Sequence, residues 1–539
     1  MISVGKDILR KNSAASPQGR GRMRTVYSLF VLVFVIFVAK TLYLGIEGTD
    51  RSRRGTGAGE WAVSRASILD RNGDILAQNI ISGNIVLRPG NIVDKDAAAN
   101  LIHNVLPTEY TVSGALALLN YDKKFIYLKK LATETERAAI ESAKIKGLDI
   151  ESVQWRRYPK RRLFAHTVGF TGSDGAGLEG AERVFNGYLS DNKDPLQLSL
   201  DARVQAAFYE ELSRAVHKYG AKGAMGMLMD ARTGEMIAMV NLPDFDPENL
   251  NLDPPQNRMN MPLRGVFEMG SIFKIFNTAM AIETGIGLKR EYFVAAPYTI
   301  RDKFGRVAAV IHDHSSFKPV RPNLSVAEIM QYSCNAGSVQ IALDLPDGEQ
   351  KNFFERLHFD RALDLEFGRT EKPMMPQKWG PVERATVSFG HGIAVTPMHI
   401  LLAVNAVTNG GIYIQPTLLK RGVGRIMGER IAPAAVSAPL RDIMFKISED
   451  GSGRKARIAG IKIGGKTATA EKRVNGKIDK FRNLTAFVGV FPIEAPQYTI
   501  LIVLDEPKGT ADSYGLRTAA WNAVPTAGAV LDTILPLLF

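Results

Sequence analysis

An α+β fold behind a single N-terminal membrane anchor is the architecture this sequence predicts. Two pairs of β-rich runs, residues 224–230 with 235–240 and residues 484–491 with 498–504, bracket a stretch of largely helical pattern. Strands at both ends of a domain, with helices between, imply an antiparallel sheet whose first and last parts pair. The segment ahead of it mixes short strands with two helical stretches, and a hydrocarbon run stands near the N-terminus. At 539 residues the chain is too long for one compact domain, so two or three folding units are expected.

Residues 26–39 are almost unbroken hydrocarbon, and residues 41–46 extend the run past Lys40. About 20 residues of this kind cross a bilayer, with Lys40 reaching for a headgroup. Lys6, Arg10, Lys11, Arg20, Arg22 and Arg24 precede it against one acid, Asp7, so residues 1–24 should form a cytoplasmic tail. The run is longer than a signal-peptide core and no small-x-small site follows, which favours an uncleaved anchor over residues 25–46. Everything after residue 46 then lies on the far side of the membrane.

Residues 47–60 are polar and rich in glycine and arginine, a linker. Asn72-Gly73 between apolar stretches is a hairpin signal. Helices are expected around residues 94–106 and 133–146. Arg156-Arg157-Tyr158-Pro159 and Gly177–Glu182 carry no evident chemistry, and their charges read as an interaction or spacing surface. The first folded unit is placed at residues 47–197 and a second at 198–539, opening with an amphipathic helix at 204–219. Gly234 turns the first strand pair, and a terminal helix is expected over residues 519–537.

Lys and Arg number 68 against 55 Asp and Glu, a net charge of +13. The basic residues do not form long blocks interleaved with aromatics, which argues against nucleic acid and for anionic lipid or substrate. One cysteine, Cys334, rules out an internal disulfide framework and a multi-cysteine metal site. His312-Asp313-His314 has metal-like spacing but no third ligand cluster beside it, so it reads as a polar surface turn. Neither metal nor cofactor is expected.

The chemistry centres on Met269-Gly270-Ser271-Ile272-Phe273-Lys274, which leads into a helix-like run over residues 275–283. A serine and a lysine three apart at a helix start share a face, so the amine can take the hydroxyl proton. The pattern S-x-x-K also occurs at Ser3/Lys6, Ser190/Lys193, Ser315/Lys318 and Ser452/Lys455, so further signals must choose among them. Two later stretches do. Ser333-Cys334-Asn335 offers a hydroxyl and an amide, and Lys466-Thr467-Ala468-Thr469 reads as a strand edge with a cation and two hydroxyls facing one groove.

Ser271-x-x-Lys274, then Ser333-x-Asn335, then Lys466-Thr467-x, is the ordered triple of penicillin-recognising acyl transferases. The resemblance covers nearly the whole chain. Arg65–Gly73, Tyr158-Pro159, Ala165-His166 and Gly177–Glu182 resemble the pedestal ("dimerisation") domain of class B penicillin-binding proteins. Asp230–Gly234, Gly390-His391-Gly392 and Val395-Thr396-Pro397 resemble their transpeptidase domain. With S-x-N as the second motif, the closer match is the division-specific (septal) group.

The resemblance implies a peptidoglycan D,D-transpeptidase that cross-links stem peptides through a serine acyl-enzyme and is trapped by β-lactams. It implies Ser271 as nucleophile, Lys274 as proton acceptor, Ser333 as relay and Asn335 as orienting amide. Lys466, Thr467 and Thr469 would bind the substrate carboxylate, with Lys466 lowering the Lys274 pKa. Backbone N–H groups of Ser271 and Thr469 would form the oxyanion hole, with Gly270 beside the substrate. It further implies a single-pass inner-membrane protein with a periplasmic catalytic domain, working with a membrane-embedded glycan polymerase and other division proteins. Ala468 stands where the family has glycine, and a methyl there would crowd the groove; Met269 stands where proline is usual. The rival readings are a β-lactam hydrolase and a division-complex scaffold with a weakened site.

Overall fold

The computed structural model describes residues 28–41, 65–314, 317–422, 424, 426–474 and 477–539. Residues 28–41 form one exposed helix. No helix among the described residues is long and apolar enough to cross a membrane, and the rest of the expected 25–46 anchor lies outside them. So do the 1–24 tail and the 47–60 linker. Residues 65–539 form a compact unit of their own.

That unit opens with the expected hairpin. Asp70 accepts N–H bonds from Asn72 (2.7 Å) and Asp74 (2.8 Å), and Gly73 supplies the left-handed φ of +96°. The turn joins β1 (Ile68–Leu69) to β2 (Ile75–Leu87), with Ile68 opposite Ala77. β3 (Ile126–Ala132) and β4 (Leu148–Arg157) both pair antiparallel with β2, and β5 (Leu196–Gln197) runs parallel to β1. Helices Lys95–Val105 and Glu134–Ala143 appear where the pattern put them, capped by Asp94 and by a Thr133/Glu136 capping box.

The charges around Arg156–Arg162, read as an interaction or spacing surface, form a seam of ion pairs within this unit. Glu182 is fully buried between Arg65 and Arg156, each 2.7 Å away. Arg157 reaches Glu248 at 3.0 Å, and Arg162 spans Asp244 and Asp253 at 2.9 Å each. Their partners belong to the next segment of chain, so these pairs brace the two segments together. One apolar cluster also joins Ile68, Phe164 and Phe170 to Phe245 and Met225.

The larger half is built on an antiparallel sheet. Its strands are β6 (Gly223–Asp230), β7 (Met236–Leu242), β8 (Gly464–Val474), β9 (Lys477–Phe491) and β10 (Tyr498–Asp505). Their order is β8-β9-β10-β6-β7, and Tyr498 lies opposite Asp230, so the first and last strands of the segment do meet. Alternation then splits the sheet's two faces. Ala224, Leu228, Phe487 and Ile500 pack beneath α1 (Ala202–Tyr219) and the C-terminal helix α7 (Ala523–Leu538). Met225, Met227, Ala486 and Val488 join the opposite core, with α2 (Phe273–Glu283) and α5 (Pro397–Thr408). α6 (Ser437–Glu449) packs beside β8 on that side. The result is an α+β unit with helices on both faces and, among the described residues, β8 as a free edge.

Candidate active site

The site sits where the start of α2 meets the free edge of β8. Residues Phe273 through Ala281 are buried without a break, so α2 is a core helix and not an amphipathic surface one. Phe273 and Phe276 pack edge-on at 5.5 Å, and both touch Phe359. Just before α2, Gly270 takes φ +49°, and a Cβ there would stand 3.3 Å from the Thr469 carbonyl. Gly390 presses from the other side, where a Cβ would come 2.2 Å from the Gly270 carbonyl. Backbone meets backbone at both contacts, so Ser271 is held at the strand edge.

Lys274 is 1% exposed and its amine faces four oxygens. These are Ser271 Oγ at 3.1 Å, Ser333 O at 2.6 Å, Ser333 Oγ at 3.2 Å and Asn335 Oδ1 at 2.7 Å. The two carbonyl oxygens can only accept, and they are the closest. A neutral amine has two N–H groups, which these carbonyls consume, so its lone pair is left for the hydroxyls. Burial supports the neutral form: it lowers the Lys274 pKa to about 8, against smaller opposing effects of Cys334 and Asp313.

Ser333 ends α3 (Val326–Tyr332) in the left-handed conformation, φ 61° and ψ 38°, and Asn335 opens α4 (Asn335–Asp344). That backbone costs a non-glycine residue roughly 1–2 kcal/mol, which the Lys274 bonds to the Ser333 carbonyl and hydroxyl help to offset. Lys466, fully buried, reaches the Ser333 hydroxyl from β8 at 3.1 Å and the Thr467 carbonyl at 3.2 Å. Its pKa is held well below the usual lysine value by burial, then by the charge of Lys274. Both amines meet at the Ser333 hydroxyl, so each lysine stands beside a second cationic group. Burial is the first cause at both lysines, and their repulsion disfavours charging both together.

The strand period separates residues that the sequence reading placed on one face. Lys466 and Ala468 point to the α2 side, whereas Thr467 pairs with Phe487 in register and shares its α7 side with Thr469. The hydroxyls there are held: Thr467 Oγ1 lies 2.8 Å from Ser452 Oγ, and Thr469 Oγ1 accepts the Ala519 N–H at 3.0 Å. Ala468, 3% exposed, lies opposite Ala486 and belongs to the cluster containing Met269 and Ile272. Its methyl packs in the core beside the residues that flank Ser271.

Ser271, Lys274, Ser333, Asn335 and Lys466 therefore converge from three separate stretches of chain. Two contributors went unread in the sequence. Ser452 is one of the competing S-x-x-K matches and lies beside Thr467 instead. Asp313, read as part of a surface turn, contacts the Ser333–Asn335 segment, while His312 and His314 are exposed as expected. Cys334 is a buried thiol pushed up to about 12 by desolvation. The His391 ring packs on Phe389 at 5.0 Å.

A serine hydroxyl touching a buried lysine amine at a helix start, with a second serine behind it and a strand edge alongside, defines a serine-dependent acyl-transferring enzyme. Residues 224–525 match the penicillin-binding protein transpeptidase domain, and residues 61–193 match the penicillin-binding protein dimerisation domain. The chain belongs to this family of two-domain penicillin-binding transpeptidases. It is 32% identical to the probable peptidoglycan D,D-transpeptidase FtsI of Caulobacter vibrioides, over 98% of this chain and 91% of that protein. It is 28% identical to the peptidoglycan D,D-transpeptidase FtsI of Escherichia coli K12, over 91% and 86%. Penicillin Binding Protein 2X of Streptococcus thermophilus has the same fold, with a TM-score of 0.72 at 19% identity over 88% of this chain and 79% of that one.

Proposed function

We propose that this chain is the peptidoglycan D,D-transpeptidase of the division septum. Ser271 attacks the penultimate D-Ala carbonyl of a stem peptide, passing its proton to the Lys274 lone pair. The proton travels by Ser333 to the departing D-Ala amine, and the peptide remains as an ester on Ser271. An amine from a neighbouring stem then attacks that ester, forming the cross-link and returning the Ser271 hydroxyl. Asn335 orients Lys274 and the substrate amide. Lys466 serves the terminal carboxylate from the α2 side of β8, the Thr467 and Thr469 hydroxyls being turned to the other face, and the N–H groups of Ser271 and Thr469 receive the oxyanion beside Gly270. The reading is carried above all by the Lys274 amine, whose N–H groups are spent on two carbonyls while Ser271 Oγ lies 3.1 Å away.

The same reading assigns residues 1–24 to the cytoplasm, 25–46 to the inner membrane, 47–197 to a pedestal and 198–539 to the periplasmic transpeptidase domain. Its partners are a membrane-embedded glycan polymerase and other division proteins, met through the anchor and pedestal. Labelling with a fluorescent penicillin tests the chemistry. A stable adduct lost in Ser271→Ala is expected; rapid release of the label would favour a β-lactam hydrolase. A folded protein that takes up no Ser271-dependent label would point to a scaffold.

A further inference from the structure

The motif at residues 333–335 is held from outside by an arm that the mechanism above leaves unused. This arm, residues 312–314, follows the two-stranded ribbon of Tyr298–Arg301 and Val307–Ile311. Asp313 turns inward from it. Its Oδ1 accepts a short hydrogen bond from the Asn335 N–H, and its Oδ2 accepts from Ala336 N–H at 3.4 Å and the Cys334 thiol at 3.5 Å. The neighbouring His312 carbonyl accepts from Asn335 Nδ2 at 3.1 Å.

Each bond has a consequence for Lys274. With Nδ2 fixed on a carbonyl, the other end of the Asn335 amide, Oδ1, must face away from His312, and there it meets Lys274 at 2.7 Å. The start of α4 also needs help. Its capping residue is Cys334, whose sulfur is a weak acceptor, lying 3.3 Å from the Gly337 N–H. A carboxylate brought in from the arm satisfies two first-turn N–H groups and places negative charge at the positive end of the helix.

We propose that Asp313, together with the His312 carbonyl, is a positioning residue that locks the Ser333–Asn335 turn against Lys274. It touches neither the nucleophile nor the substrate carboxylate site; it acts through Asn335 and through its charge. The titratable groups whose charge acts on or with the Lys274 amine are Lys466 from β8, the Cys334 thiol from the α3–α4 turn, and Asp313 from the arm. Burial disfavours the ammonium, while Asp313 favours it. Removing the charge therefore makes Lys274 neutral at lower pH, whereas loosening the turn makes each encounter less productive.

The test rests on the reading of Ser271 as the acylated residue, and it uses the full chain. Fluorescent-penicillin acylation is followed against pH for wild type, Asp313→Asn, Asp313→Ala and Asp313→Glu, alongside thermal melts and amide hydrogen exchange. Asp313→Asn should acylate about tenfold or more slowly. Its rising limb should lie at least about 0.5 pH unit acidward. Asp313→Glu should recover most of the rate and the wild-type limb. Amides of Asn335 and Ala336 should exchange faster in Asp313→Ala than in wild type. Wild-type rates, limb and exchange in both Asn and Ala variants would overturn the proposal. So would slower acylation that tracks lost thermal stability with the limb unmoved. If wild type takes up no Ser271-dependent label, exchange at Asn335 and Ala336 still decides the clamp, and the functional reading alone fails.

Discussion

Replacing Ala468 by glycine, the residue its family carries there, separates the fold's demands from the substrate's. The Ala468 side chain is 3% exposed, directed to the α2 side of β8 and opposite Ala486. Deleting it removes one buried methyl, about 0.8 kcal/mol, and adds the backbone freedom of glycine in a strand, about 0.5–1 kcal/mol. The expected loss is about 1–2 kcal/mol, or about 1–2 °C in Tm for a unit of this size. A peptide aligning on the free edge of β8 meets backbone and does not meet that methyl. Acylation by a fluorescent penicillin should therefore stay within about threefold of wild type. Thermal melts and labelling time courses read the two effects separately. A tenfold gain in acylation rate with unchanged stability would show that the methyl projects into the groove, and the assignment of side-chain faces from strand register would be wrong.

Other substitutions and conditions follow from the same geometry. In Gly390→Ala the new Cβ would lie 2.2 Å from the Gly270 carbonyl at a φ of +83°, so the Ser271 turn must shift. Labelling should fall about a hundredfold, and a near-normal rate would refute the contact. Glu182→Gln leaves Arg65 and Arg156 buried without their shared carboxylate. A loss of about 3–5 kcal/mol in denaturant unfolding is expected, and a change under about 1 kcal/mol would contradict the seam. The Lys274 amine, lowered to about 8, becomes the base as it loses its proton. Acylation should therefore rise with pH through about 8, and a rate that falls or stays flat there would remove Lys274 from that role.

The sequence by itself determined the elements and their order. Asn72-Gly73 specified its hairpin through turn chemistry, and the paired β runs at residues 224–240 and 484–504 announced a sheet closed by its first and last strands. It also singled out the residues proposed to carry the chemistry, because three short motifs stand in order although S-x-x-K alone occurs five times. Tertiary structure decided what those residues touch. Ser452 belongs beside Thr467, and Arg156 belongs to a buried seam, because each answers to a partner outside its own element, 15 and 26 residues along the chain. Asp313 reads as surface because it sits in a short polar run with no ligand cluster beside it in sequence, yet its carboxylate turns in to residues 334–336. Local pattern reports periodicity and turn chemistry, which depend on neighbours in sequence. Burial and charge depend on neighbours in space, and so the lowered pKa of Lys274 and the inward face of Ala468 exist only once α2 and β8 are packed together.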